Sequence, residues 1–199
     1  MHSLVAYGHS WVQGDGASRP ASRFVDLVGS RLGGEPTNLG AGGTLSTDTS
    51  DLLSHEPAPA SRIYVVMTGL NDARLFGDSR TELESYSVAL QTIFATLASV
   101  NPAALIVAVE QPPLADYSLY APHNRGSDRV LDAHNLRLRA VAARFPRVAT
   151  ANVTGWDPKT MLAADTVHPN DAGHAQVARA VVHATVAAGE RDDHAARGG

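Results

Sequence analysis

Ile63-Tyr64-Val65-Val66-Met67-Thr68 runs without interruption into Gly69-Leu70-Asn71-Asp72. A short, near-continuous apolar run rich in Val and Ile is the pattern of a strand covered on both faces. The polar group that follows marks the point where such a strand would leave its sheet. Three similar runs flank it in the chain: Leu4–Tyr7, Leu105–Val109 and Val148–Val153. A weaker one spans Glu35–Leu39.

The segments between these runs carry helical spacing. Phe24, Leu27, Val28 and Leu32 share one face, as do Leu83, Tyr86, Leu90, Ile93, Phe94 and Leu97 over a longer stretch. Val130–Phe145 repeats the pattern through Leu131, His134, Leu138, Val141 and Phe145, and Ala172–Ala188 is rich in Ala and Val. Strands alternating with helices predict βαβ units and a parallel sheet between two helix layers. Residues 1–188 read as one domain, and the tail 189–199, lacking an apolar face, reads as disordered. Gln111–Arg129, with three prolines and the rings of Tyr117, Tyr120 and His123, is a long connection of the kind that carries function.

Composition narrows the classes. The chain has 199 residues, 44% hydrophobic and 18% charged, as in an ordinary globular domain. Folding at this length buries roughly 70% of the unfolded surface, so a core forms without staples. A net charge of −4, scattered arginines and a single lysine, Lys159, give no general attraction to nucleic acid or anionic lipid. No cysteine is present, which excludes disulfides, thiolate metal sites and a Cys nucleophile. No apolar run reaches the roughly 20 residues of a membrane span. Met1–Gly8 lacks a basic segment and a long apolar one, so the expectation is a cytoplasmic protein without signal peptide or membrane anchor.

In open α/β sheets, ligands bind at the carboxyl ends of the strands. Gly8-His9-Ser10, Asn38–Thr44 and Gly69-Leu70-Asn71-Asp72 each follow a predicted strand, and Asp165-Thr166-Val167-His168-Pro169 precedes the last helix. Each has an ordinary explanation alone. Ser10 would serve as a helix cap, Asp165 and His168 as a turn with a surface histidine, Gly40–Gly43 as a flexible loop, and Asn71 as turn chemistry. Together they meet the needs of nucleophilic catalysis. A serine hydroxyl needs an imidazole base, and that base needs a carboxylate to fix its tautomer. Backbone donors from a Gly-rich loop, with a side-chain amide, suit a developing oxyanion.

The four blocks, in this order from Leu4 to His174, resemble the SGNH (GDSL-type) serine hydrolase superfamily. The resemblance implies a flavodoxin-like three-layer α/β/α sandwich with a central parallel sheet, and acyl transfer from a small-molecule ester or thioester to water. It implies neither cofactor nor metal. Ser10 matches the nucleophile, and Asp165 and His168 match the rest of the triad. Ser10, Gly43 and Asn71 match the oxyanion hole, with Gly42 in place of Gly43 if the register is off by one.

One departure concerns His9, which stands where the family has Asp. A histidine titrates near neutrality, so His9 either tunes the site or bonds a neighbouring loop. Asp15, in Gly14-Asp15-Gly16, is a candidate local substitute for the missing carboxylate. Tyr117, Tyr120 and especially His123 are candidate substrate contacts. The remaining histidines form no H-x-x-H or H-x-x-x-H pair of the kind that binds metal. Two other outcomes stay open: an acyltransferase using the same triad, and an inactive binding module of the same shape.

Overall fold

The computed structural model describes residues 3–197, with side chains described through Arg191. Five strands form one sheet: β1 (Leu4–Gly8), β2 (Pro36–Gly40), β3 (Ile63–Met67), β4 (Leu105–Val109) and β5 (Val148–Ala151). All neighbours pair in parallel, in the order β2-β1-β3-β4-β5. This is the doubly wound order in which the winding reverses between β1 and β3. Among the described residues, eight α-helices accompany it: α1 (Ser10–Gln13), α2 (Phe24–Leu32), α3 (Ser46–His55), α4 (Leu70–Phe76), α5 (Arg80–Val100), α6 (Asp128–Ala142), α7 (Pro158–Met161) and α8 (Asp171–Arg197).

Alternation along the strands sorts side chains into two layers. Leu4 and Ala6 of β1, with Ile63, Val65 and Met67 of β3, pack on α2 and α8 through Phe24, Val25, Val28, Val177 and Val181. Val5, Tyr7, Tyr64 and Val66 point the other way, onto Leu53 of α3, the Tyr86–Leu97 face of α5, and Leu138 and Val141 of α6. With both faces covered, β1 and β3 are buried along their whole length. β2, at the sheet edge, alternates between half-buried and exposed, and its sequence signal is correspondingly weak.

α8 runs to Arg197, and Glu, Arg and Ala, which recur after Gly189, are good helix formers. Gly198 and Gly199 lie outside the described residues. One segment differs from the sequence reading. α4 occupies the place where a tight turn was expected: Gly69 caps it in a left-handed conformation, φ 110°, and Asn71 sits in its first turn.

Candidate active site

The carboxyl ends of β1, β2 and β3 lie side by side, and each delivers one of the sequence blocks to the same cavity of about 360 Å³. Ser10, Gly42, Gly43, Asn71, Asp165 and His168 all line it. Ser10 opens α1, so its N–H has no partner one turn back, as at any helix start. The cap of α1 is not Ser10 but His9, whose Nδ1 accepts from the Trp11 N–H at 3.3 Å.

Asp165 and His168 come together through one tight loop. Thr166 takes a left-handed backbone (φ 62°), Thr166 N–H donates to Ala163 O at 2.9 Å, and Ala163 N–H donates to His168 O at 2.7 Å. Asp165 Oδ1 accepts from the N–H groups of Val167 and His168, both at 2.9 Å. Its Oδ2 lies 2.7 Å from His168 Nδ1, and His168 Nε2 lies 3.0 Å from Ser10 Oγ. An ionised Asp165 can only accept, so Nδ1 carries the ring proton and Nε2 turns its lone pair to the Ser10 hydroxyl. Burial pushes the Asp165 carboxyl up. The bonds from the His168 N–H, the His168 ring and the Val167 N–H outweigh it and hold the group below the usual carboxylate range.

Ser10 and His168 are far apart in sequence, and three ties bring their segments into register. Trp11 Nε1 donates to Val167 O at 3.0 Å from a fully buried indole. Ser18 N–H and Oγ donate to the Asp171 carboxylate at 2.8 and 2.6 Å. His174 Nδ1 accepts from Phe24 N–H at 3.2 Å, which leaves its Nε2–H to donate to Asp15 O at 3.1 Å. The last of these residues is a fastener between α8 and the loop after α1.

Donors converge opposite the triad. Asn71 Nδ2 donates one hydrogen to Thr44 O at 3.0 Å, which orients the amide and leaves the second hydrogen for the cavity. Gly42 and Gly43 differ in what each N–H already does. Gly42 N–H donates to Gln13 Oε1 at 2.5 Å, whereas Gly43, left-handed at φ 79°, has no partner for its N–H among the described residues. Of these two N–H groups, that of Gly43 has no bond among the described residues.

The remaining candidates divide. Tyr120 and His123 line the cavity, and Tyr120 Oη donates to Asp165 O at 3.0 Å, so the long loop before α6 reaches the Asp165 segment. Tyr117 does not reach it. It packs against the core, and its hydroxyl accepts from Leu114 N–H at 3.2 Å. His9 is fully buried behind the site rather than in the cavity, with Nε2 donating to Gln111 Oε1 at 3.2 Å. The expectation that it titrates near neutrality is corrected. Burial drives its pKa down to about 4 against the Gln111 bond, so the ring stays neutral and keeps the Nδ1 acceptor that a capping carboxylate would supply. Asp15 does not reach this cap; its Oδ2 lies 3.8 Å from His168 Nε2 on the Gly42 side of the cavity. Arg74, one helical turn beyond Asn71, also lines the cavity and was not anticipated, because α4 was read as a turn and the i, i+3 relation was lost. Among the described residues, no group of three or more His, Cys, Asp or Glu is placed to hold a metal ion, and no helix is long and apolar enough to cross a membrane.

The profile of the GDSL-like lipase/acylhydrolase family matches residues 6–176. No curated protein matches the chain. Among solved structures, the lipase/acylhydrolase from Enterococcus faecalis superposes with a TM-score of 0.73 at 19% identity, over 92% of this chain and 94% of that one. A variant of an acetyl xylan esterase from Geobacillus stearothermophilus gives 0.65 at 20% identity, over 92% and 93%. TesA gives 0.67 at 21% identity, over 90% and 95%. At these identities the likeness speaks for the fold.

Proposed function

This chain belongs to the GDSL-like lipase/acylhydrolase family, and from that premise we propose that it is a serine esterase acting on short acyl or acetyl esters or thioesters through an acyl-enzyme on Ser10. One observation carries the reading: the unbroken hydrogen-bond chain from Asp165 Oδ2 through the His168 ring to Ser10 Oγ, at 2.7 and 3.0 Å, in the wall of a cavity. A base within such reach of the hydroxyl proton is the geometric requirement for general-base activation.

In the first step Ser10 Oγ forms a bond to the ester carbonyl carbon, and its proton passes to His168 Nε2. Asp165 accepts from Nδ1–H and stabilises the imidazolium. The carbonyl oxygen becomes an oxyanion received by the N–H groups of Ser10 and Gly43 and the free Asn71 amide hydrogen. Collapse breaks the bond to the leaving alcohol or thiol, which takes the proton from Nε2. In the second step His168 deprotonates a water that attacks the acyl carbon, and Ser10 leaves with the proton returned. The His168 side chain is 25% exposed, which gives water access to the base.

The test is turnover of a short-chain 4-nitrophenyl ester by the wild type and by Ser10→Ala. The variant is expected to fall to the uncatalysed background, and near-normal turnover contradicts the assignment.

A further inference from the structure

Arg74 is 6% exposed, yet it lines the cavity beside Ser10 and His168. Its stem runs past Gly126, whose Cβ position lies 3.4 Å from Arg74 Cγ, and its carbonyl accepts from Arg125 N–H at 2.9 Å, so the long loop backs it from behind. Its Nε is buried without a hydrogen-bond partner, and no carboxylate among the described residues forms an ion pair with its guanidinium. The nearest acid in charge terms is Asp165, but that carboxylate is already occupied by two backbone N–H groups and the His168 ring. Tyr117 and Tyr120, which also face Arg74, are phenols, and the His9 and His123 rings within range of its charge supply no anion. A buried guanidinium without a counter-charge is costly, and native structures keep such groups where a partner arrives.

We propose that Arg74 is the anion-binding residue of the substrate pocket, and that the substrate is an ester carrying a carboxylate or phosphate within reach of the guanidinium fork. The inference rests on the esterase reading and specifies its substrate class. Arg74 and Asn71 stand one helical turn apart on α4, so the group that holds the oxyanion and the group that holds the anion move as one rigid unit. Asp15 also lines the cavity, on the Gly42 side.

The test uses two pairs of esters, each a carboxylate and its methyl-capped counterpart. One pair carries the carboxylate on the leaving group (4-acetoxybenzoate) and the other on the acyl group (mono-4-nitrophenyl succinate). The readout is the ratio of kcat/KM for the charged over the capped member, which cancels any general loss in a variant. The wild type is expected to favour the charged member of at least one pair by roughly ten- to a hundredfold, the range of a charge-assisted pair. Arg74→Met is expected to collapse that ratio, and Arg74→Lys to retain part of it. The pair that responds tells which side of the scissile bond faces Arg74. No preference in either pair, or a preference unchanged in Arg74→Met, as when both members lose activity equally, overturns the proposal.

If Arg74→Met does not fold, the wild type alone decides. 4-Hydroxybenzoate and succinate should slow fluorophosphonate labelling of Ser10 at lower concentrations than their amides, and equal potency overturns the proposal. Absence of both labelling and turnover would fail the esterase reading instead. The Arg74 site would then be judged by calorimetric titration of wild type with succinate and with succinamide: selective binding of succinate supports it, and equal or no binding overturns it.

Discussion

Asn71 and His9 show what single residues contribute. One Asn71 amide hydrogen is committed to Thr44 O, and its fellow is left for the cavity, so the side chain is held in place before any substrate arrives. On the proposed mechanism, Asn71→Ala removes one prepositioned oxyanion donor and is expected to lower kcat on the order of 10²–10³-fold with a smaller change in KM, as steady-state kinetics would show. His9 bears on stability. Its folded pKa of about 4 lies below the ordinary 6.5, so between those values the unfolded chain binds the extra proton. The stability it contributes is complete above pH 6.5 and is lost as pH falls toward 4, by about 3 kcal/mol. His9→Asn keeps an acceptor for the Trp11 N–H and removes the titration. The loss of stability between pH 7 and 4, measured by denaturant unfolding, should therefore be smaller in the variant by about that amount. His134 and His174, also pushed down by burial, remain in both proteins and cancel in the comparison. Parallel slopes contradict this account.

At the scale of elements, close approach rather than propensity positions Ser10. β1 ends at Gly8, where φ is 144° and a Cβ would lie 1.9 Å from the Met67 carbonyl oxygen and 2.9 Å from Val12 Cγ2. Gly8→Ala therefore forces β1 and β3 apart at the point that feeds Ser10, and is expected to cost about 3 kcal/mol or more together with most of the turnover. Gly33 is the control: φ is 73° but a Cβ there meets nothing, so Gly33→Ala should cost only the left-handed strain of about 1–2 kcal/mol. Thermal melts of the two variants check the contrast. The buried elements were legible because periodicity and burial coincide in them: β1, β3 and β4, and the helices α2, α5 and α6, lie where apolar spacing puts them. α3 and α4 were not. α3 buries Ser46, Thr49 and Ser50 with only Leu53 among large apolar residues, and it leans on Asp72, which accepts from Ser46 N–H at 3.1 Å and Ser46 Oγ at 2.5 Å. A helix docked through a buried carboxylate carries no apolar stripe to read. α4 is short and begins at a left-handed Gly, which reads as a turn from sequence.

For the whole molecule, the site exists because the sheet order sets three carboxyl ends side by side and α8 returns the last block to them. The residue types of that site were legible, since Ser10, Gly43, Asn71, Asp165 and His168 fall in blocks after predicted strands or before the last helix. What joins them was not. The Trp11–Val167, Ser18–Asp171 and His174–Asp15 ties connect segments separated by more than 150 positions, and no local pattern announces them. Arg74 and the placement of Tyr117 in the core rather than the cavity depend on helix and loop geometry of the same non-local kind. The central claim is that this assembly activates Ser10. It is tested most directly by reacting the wild type and His168→Ala with a fluorophosphonate and locating the adduct by intact mass and peptide mapping. The account predicts one adduct, on Ser10, forming at least about 10²-fold more slowly in His168→Ala. No adduct on Ser10, or equal rates in the two proteins, would contradict it.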